Sequence, residues 1–155
     1  MKLSSGIAKI PRMLELGVPT GLAVDGSASN DGSNLLEEMR VAYLLHRLNW
    51  SQNAPSGYDI LKLATKGSAG ILGRPELGEL SEGKAADFFL IRLNRLELVG
   101  AQYDPGSMLC TVGLKSPVDY TVVNGKIVVK DGQLTQIDKT SIVEKASQSM
   151  KRYLA

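Results

Sequence analysis

Histidine and cysteine are nearly absent from this sequence, with one of each, His46 and Cys110, among 155 residues. A lone cysteine excludes an internal disulfide, and the expected compartment is a reducing cytoplasm. Two Phe and one Trp leave little on which nucleobases could stack. No excess of one charge sign exists either: 18 Lys and Arg against 16 Asp and Glu leave +2, scattered rather than blocked. Nucleic acid and membrane surfaces are therefore not expected partners. No apolar run approaches the roughly 20 residues of a membrane span. The start, Met1-Lys2-Leu3-Ser4-Ser5-Gly6, has no apolar core long enough for a signal peptide. What is present is ordinary for a soluble globular protein, with 43% hydrophobic and 22% charged residues. The length suffices for one domain with a sizeable core or for two small ones.

The most informative stretch is Gly21-Leu22-Ala23-Val24-Asp25-Gly26-Ser27-Ala28-Ser29-Asn30-Asp31. Thr20 to Val24 is a short apolar run with the composition of a strand buried on both faces. It stops at Asp25, and small polar residues lead to an amphipathic helix beginning near Asn34. Strand, acid, loop, helix is the order that places a carboxylate at the mouth of a parallel α/β sheet or barrel, where catalytic groups of such folds collect. An Asp-Gly pair after a strand can also do no more than open a turn.

Before it, Ile7 to Leu16 reads as a short helix with Ile7, Ile10 and Leu14 at helical spacing, Pro11 in its first turn and Gly17 as its stop. No strand precedes that helix, which suggests a chain that starts part-way through a fold. Asn34 to Trp50 is the clearest helix, with Asn34 as cap and Glu37 placed as in a capping box. Ser51 to Gly57 is a loop and Tyr58 to Leu72 a second helix. The glycines at 67, 70 and 73 read as its frayed end rather than a phosphate loop, since no G-K-[ST] follows. The Asp25–Asn30 run fails as a calcium loop: Asn30 stands where the turn glycine belongs and Leu36 where the bidentate Glu belongs.

From Gly78 the character changes. Gly78 to Asp87 is a turn-rich link and Phe88 to Ile91 a strand. Val118 to Val123, Asn124-Gly125 and Lys126 to Lys130 form a hairpin around a type I′ turn. Asp131-Gly132 turns again, Leu134 to Ile137 adds a further strand, and a helix over about Ser141 to Leu154 closes the chain. This β-region carries no acidic or histidine cluster and reads as scaffold. The resulting division is 1–77, 78–138 and 139–155.

Taken in order, these pieces resemble the C-terminal part of an amidohydrolase-superfamily enzyme of the cytosine-deaminase and atrazine-hydrolase branch, 8-oxoguanine deaminase in particular. The resemblance rests on Leu3 to Ala8, Gly17-Val18-Pro19, the Gly21–Asp31 stretch, Leu77 to Asp87 and Val123 to Gly132. It covers nearly the whole chain. It implies the α/β fold of the last part of a (β/α)8 barrel, followed by part of a small β-sandwich and a C-terminal helix. It also implies a metal-dependent hydrolase that deaminates a purine, pyrimidine or triazine-like heterocycle.

By the same resemblance Asp25 matches the acid after the eighth barrel strand, which ligates a divalent metal, zinc above all, and moves the proton of the attacking water. Ser27, Ser29 and Asn30 would sit in the same mouth and touch substrate. The family's histidine ligands have no counterpart here, and His46, beside Arg47, reads as part of a solvated helix face. The chain is accordingly expected to be inactive alone, as a portion of an aminohydrolase. The competing reading is a non-catalytic remnant or assembly module that needs a partner chain. Strand 19–24 and the β-region would be left with open edges, so a homo-oligomer or association with the missing N-terminal half is expected.

Overall fold

The computed structural model describes residues 3–155, so the Met1-Lys2 start of the leader reading lies outside the described residues. Two compact units form: one takes the residues up to Ala85 together with Arg92–Lys115, the other Ala86–Ile91 together with Ser116–Ala155.

In the first unit, helix α1 (Ile10–Glu15) is shorter than its apolar spacing suggests. Pro11 sits in its first turn, where its missing N–H is not needed, and no described residue before Ile10 is helical. Gly17, at φ +67°, ends it as expected, donating to Leu14 O at 3.0 Å. Helix α2 (Leu35–Trp50) is capped by Asn34, whose side chain accepts from Leu36 N at 3.1 Å.

The second predicted helix is three pieces in succession. Helix α3 (Gly57–Lys62), a π-turn (Leu63–Gly67) and helix α4 (Ser68–Ile71) run end to end. Its start is a capping box: Ser56 Oγ accepts from Asp59 N at 3.1 Å, and the Asp59 carboxylate accepts from Ser56 N at 3.0 Å. Helix α5 (Pro105–Thr111), capped by Asp104, packs against α2 and α3. Ile60 of α3 and Cys110 of α5 are fully enclosed, as is Leu98, and Met39, Leu63, Met108 and Leu114 are buried as well.

Two expectations are overturned here. Residues 19–24 form no strand ladder; among the described residues no strand pairs with them. The segment docks instead on the π-turn, Leu22 N donating to Leu63 O at 3.3 Å. A chain without adjacent strands satisfies its backbone with the nearest helical carbonyls. His46 is not on a solvated face. It is 4% exposed, stacked on Trp50 at 5.1 Å, with Nδ1 2.7 Å from Ala42 O and Nε2 3.2 Å from Ala8 O. A backbone carbonyl lies at each ring nitrogen, and a neutral imidazole, with one N–H, donates to one of the two.

The second unit is an antiparallel meander, β1 (Phe88–Leu90), β2 (Tyr120–Val123), β3 (Lys126–Lys130) and β4 (Gln133–Leu134), in sequence order. The β2–β3 hairpin turns at Asn124 and Gly125, with φ +47° and +76°, the two positive angles of a type I′ turn. A bulge interrupts the ladder between Thr121 and Val122. Helix α6 (Lys139–Leu154) begins two residues before the expected start because Asp138 caps it, accepting from Thr140 N and Ser141 N. Ile142, Met150, Tyr153 and Leu154 on it are exposed, as are Phe89, Leu90 and Ile127 on the sheet.

Candidate functional site

Asp25 ends the apolar segment in the left-handed region, at φ +64°. Aspartate tolerates that region better than most residues, and non-glycine residues held there cluster at functional sites. The exposed carboxylate accepts from Gly26 N at 2.6 Å. That N–H first, and the Ser29 hydroxyl second, hold the Asp25 carboxyl below the usual carboxylate range, so it is ionised at neutral pH.

The loop after it folds on one carbonyl. Ser29 N and Asn30 N donate to Gly26 O at 3.0 and 2.9 Å, and Ser29 Oγ lies 3.1 Å from the same oxygen. The Ser29 hydroxyl donates to Gly26 O. Ser27 lies exposed on the turn itself.

Asn30 is the hub. Its Nδ2 donates to Val24 O at 2.8 Å and to Glu38 Oε1 at 2.6 Å, while its Oδ1 accepts from Gly32 N at 3.2 Å. Both amide protons and the amide oxygen are engaged within the chain. Glu38, on the first turn of α2, is the residue behind Asn30 that sequence reasoning passed over. An Asn and a Glu eight residues apart across a loop carry no periodic signal.

These groups open on a cavity of about 640 Å³, within the range of small-molecule sites. The Val24–Asn30 loop forms one wall, Glu37, Glu38 and Arg40 of α2 a second, and the 112–115 segment a third, ending in Lys115. Arg40 donates to Thr111 O, which ties α2 to the end of α5 on that side. Three of the four expected site residues, Asp25, Ser29 and Asn30, line this cavity, and Ser27 does not. Among the described residues no three His, Cys, Asp or Glu side chains form a group able to hold a metal ion.

Residues 1–128 match the amidohydrolase family. A hydroxydechloroatrazine ethylaminohydrolase of Pseudomonas sp. strain ADP is 45% identical over 151 residues, 96% of this chain and 31% of that protein. An 8-oxoguanine deaminase of Pseudomonas aeruginosa is 39% identical over 145 residues, 92% of this chain and 31% of its own length. Among solved structures, an atrazine chlorohydrolase from Arthrobacter aurescens TC1, complexed with zinc, superposes with a TM-score of 0.86 at 39% identity, over 92% of this chain and 32% of that one. An adenosine deaminase from Xanthomonas campestris with bound zinc gives a TM-score of 0.90 at 27% identity, over 97% and 35% of the two chains. The chain spans about a third of the length of these relatives and corresponds to a C-terminal portion of their fold. With its Asp25 loop, its helices and its small sheet, the chain belongs to the amidohydrolase family.

Proposed function

We propose that this chain supplies the C-terminal wall of the active site of a metal-dependent aminohydrolase, an enzyme that hydrolyses a C–N bond of a small heterocycle. The observation that carries this reading is the Asp25 carboxylate, held ionised and exposed at the edge of a 640 Å³ cavity. The relatives named for deamination or aminohydrolysis act on triazine and purine compounds, and one variant of the Arthrobacter enzyme is complexed with zinc and atraton. The substrate class proposed here is therefore a heterocyclic amine of that size.

Zinc is the proposed ion, and the fit to this chain is partial. A catalytic zinc takes about three protein ligands, and the described residues gather no such set. Asp25 would contribute one oxygen to a centre whose other ligands come from the remaining two-thirds of the family fold. When bound, such an ion lowers the pKa of a water toward neutrality. Asp25's own part is to accept a proton at a carboxylate oxygen and to deliver it toward the departing amine nitrogen. Ser29 would meet the substrate and Asn30 would hold the loop that presents it, while Ser27, outside the cavity lining, is given no contact.

A second reading, an assembly module without chemistry of its own, is favoured by the exposed Phe89, Leu90, Ile127 and Ile142, Met150, Tyr153. Apolar side chains in such numbers suit a surface covered by the rest of the fold or by a second copy. Among the described residues no helix is long and apolar enough to cross a membrane.

Release of ammonia or alkylamine from triazines, 8-oxoguanine and adenosine analogues decides between them. The assay compares the chain alone with the chain combined with the rest of the fold from a relative. We expect none from the chain alone and turnover from the combination. Asp25→Asn should remove it by on the order of a thousandfold. Near-normal turnover in that variant sinks the Asp25 assignment, and a combination that never turns over favours the module.

A further inference from the structure

The 67–73 glycine series, which as sequence looks like a worn helix end, lies where the Asp25 segment is held. The π-turn Leu63–Gly67 lets Ser68 N reach back five residues to Leu63 O instead of four. Single π-turns inside helices recur at functional sites because they re-aim one residue. Here the re-aimed residue is Ser68. Its Oγ accepts from Leu22 N at 3.1 Å and lies 2.9 Å from Leu22 O and 3.0 Å from Leu63 O, its one proton serving those two carbonyls. Both backbone groups of Leu22 are thereby gripped by a side chain 46 positions away.

The grip has no slack. A Cβ on Gly67 would stand 2.3 Å from Thr20 O, and one on Gly21 would stand 2.9 Å from Ser68 Cα. Neither position has room for a side chain without parting the two segments. From Leu22 the backbone runs three residues, about 10 Å if extended, to Asp25. Beyond it, Asn30 pins Val24 O from the other side.

We propose that Ser68 is the positioning residue of Asp25: presented by the π-turn and admitted by Gly67 and Gly21, its hydroxyl fixes how far the carboxylate projects. The consequence for catalysis rests on Asp25 being the reacting carboxylate; the clip itself does not. Sliding the segment along the helix breaks all the Leu22 contacts together, so the hydroxyl works as a register pin rather than as one more stabilising bond.

The test is amide hydrogen exchange and ¹H–¹⁵N NMR on the full chain without metal or substrate. In Ser68→Ala the Leu22 amide should exchange on the order of tenfold faster, the loss of about one hydrogen bond. The Gly26 amide, bonded to the Asp25 carboxylate, should move upfield, while the α2 core amide of Met39 stays within about twofold. Ser68→Thr, which keeps the hydroxyl, should restore both. If the alanine variant does not fold, Ser68→Cys gives the same comparison with a much weaker donor. The proposal is overturned if Leu22 and Gly26 are unmoved in a folded variant, or if Met39 loosens in step with them. Failure of the threonine to restore them overturns it as well. None of these outcomes depends on whether the chain takes part in hydrolysis, so the two readings fail separately.

Discussion

Replacing Asn30 by aspartate alters almost no volume and reverses the chemistry of the loop that carries Asp25. The native Nδ2 donates to Val24 O at 2.8 Å and to Glu38 Oε1 at 2.6 Å; a carboxylate donates neither. Losing the neutral bond costs about 1 kcal/mol and losing the bond to an ionised acceptor about 2 kcal/mol. Asn30→Asp also sets a second carboxylate against Glu38. Two like charges 4 Å apart repel by about 1 kcal/mol in water and about 4 kcal/mol at an effective dielectric of 20. Both side chains are half-buried, which puts the repulsion between those limits, at about 2 kcal/mol. The loop lies at the surface and relieves part of this by opening, so a loss of about 3 kcal/mol at pH 7 is expected from a total of about 5 kcal/mol.

The pH dependence separates charge from lost hydrogen bonds. The introduced acid has Glu38 beside it, so its folded pKa lies above the unfolded value of about 3.9. Its repulsive part is absent below that value and grows as pH rises through the folded pKa. Thermal melts at pH 4 and pH 7, each referred to the parent chain, should show the Asn30→Asp deficit shrinking by about 2 kcal/mol at pH 4. Asn30→Ala, which removes the donors without adding charge, should show about the same deficit at both. An Asn30→Asp deficit that is absent, or equal at the two pH values, would refute the placement of Glu38 behind Asn30.

Five further changes probe the supporting fold. Gly57→Ala puts a Cβ 2.6 Å from Ser107 Cα, backbone against backbone between α3 and α5, and should cost about 2 kcal/mol in a denaturant melt. Gly70→Ala meets nothing within 4 Å and should instead stabilise by about 0.5–1 kcal/mol. Ser56→Ala removes the cap of α3 and should cost about 1 kcal/mol at pH 7. The Ser56 hydroxyl, then desolvation against it, then the Ser56 N–H and the Lys62 charge, leave the Asp59 carboxyl below its ordinary range. Its stabilisation is therefore present above about pH 3.9 and lost as pH falls through the lower folded value; the deficit of the variant should shrink in melts near pH 2 without vanishing, because the Asp59 N–H bond to the Ser56 hydroxyl does not titrate. Ile60→Ala, at 0% exposure, should cost about 3 kcal/mol. Leu96→Ala, at 90% exposure, should stay within about 0.5 kcal/mol by the same melt.

What could be read from the sequence was what neighbouring residues decide among themselves. Asn34 caps α2, Pro11 opens α1, and Asn124-Gly125 turns β2 into β3, because each of these acts within three or four positions. Helix α5 was illegible for the opposite reason. Pro105-Gly106-Ser107 argues for a turn, and a seven-residue helix survives there because Met108, Leu109 and Cys110 are buried, against helices that include α2 and α3. His46 shows the same limit in a single residue. A histidine beside an arginine on a helix looks solvated until Ala8, 38 positions earlier, closes over its Nε2.

The Asp25 site divides along the same line. The acid itself stands out, since an apolar run that ends on Asp and passes into small polar residues is a local pattern. Its surroundings do not. Residues 19–24 carry the composition of a buried strand, and composition records how apolar a segment must be, not which backbone groups it will meet. Within this chain those groups belong to Leu63 and Ser68, and a π-turn, which no periodicity announces, brings them into reach. Glu38 and Asn30 hold the far side, the Asn30 amide donating both to Val24 O and to the Glu38 carboxylate. A carboxylate's identity is thus written in one place and its geometry in three, and only the first can be read along the chain. Substitutions at Ser68 and Glu38 should therefore disturb Asp25 as surely as substitutions beside it, although neither residue belongs to the motif that reveals the acid.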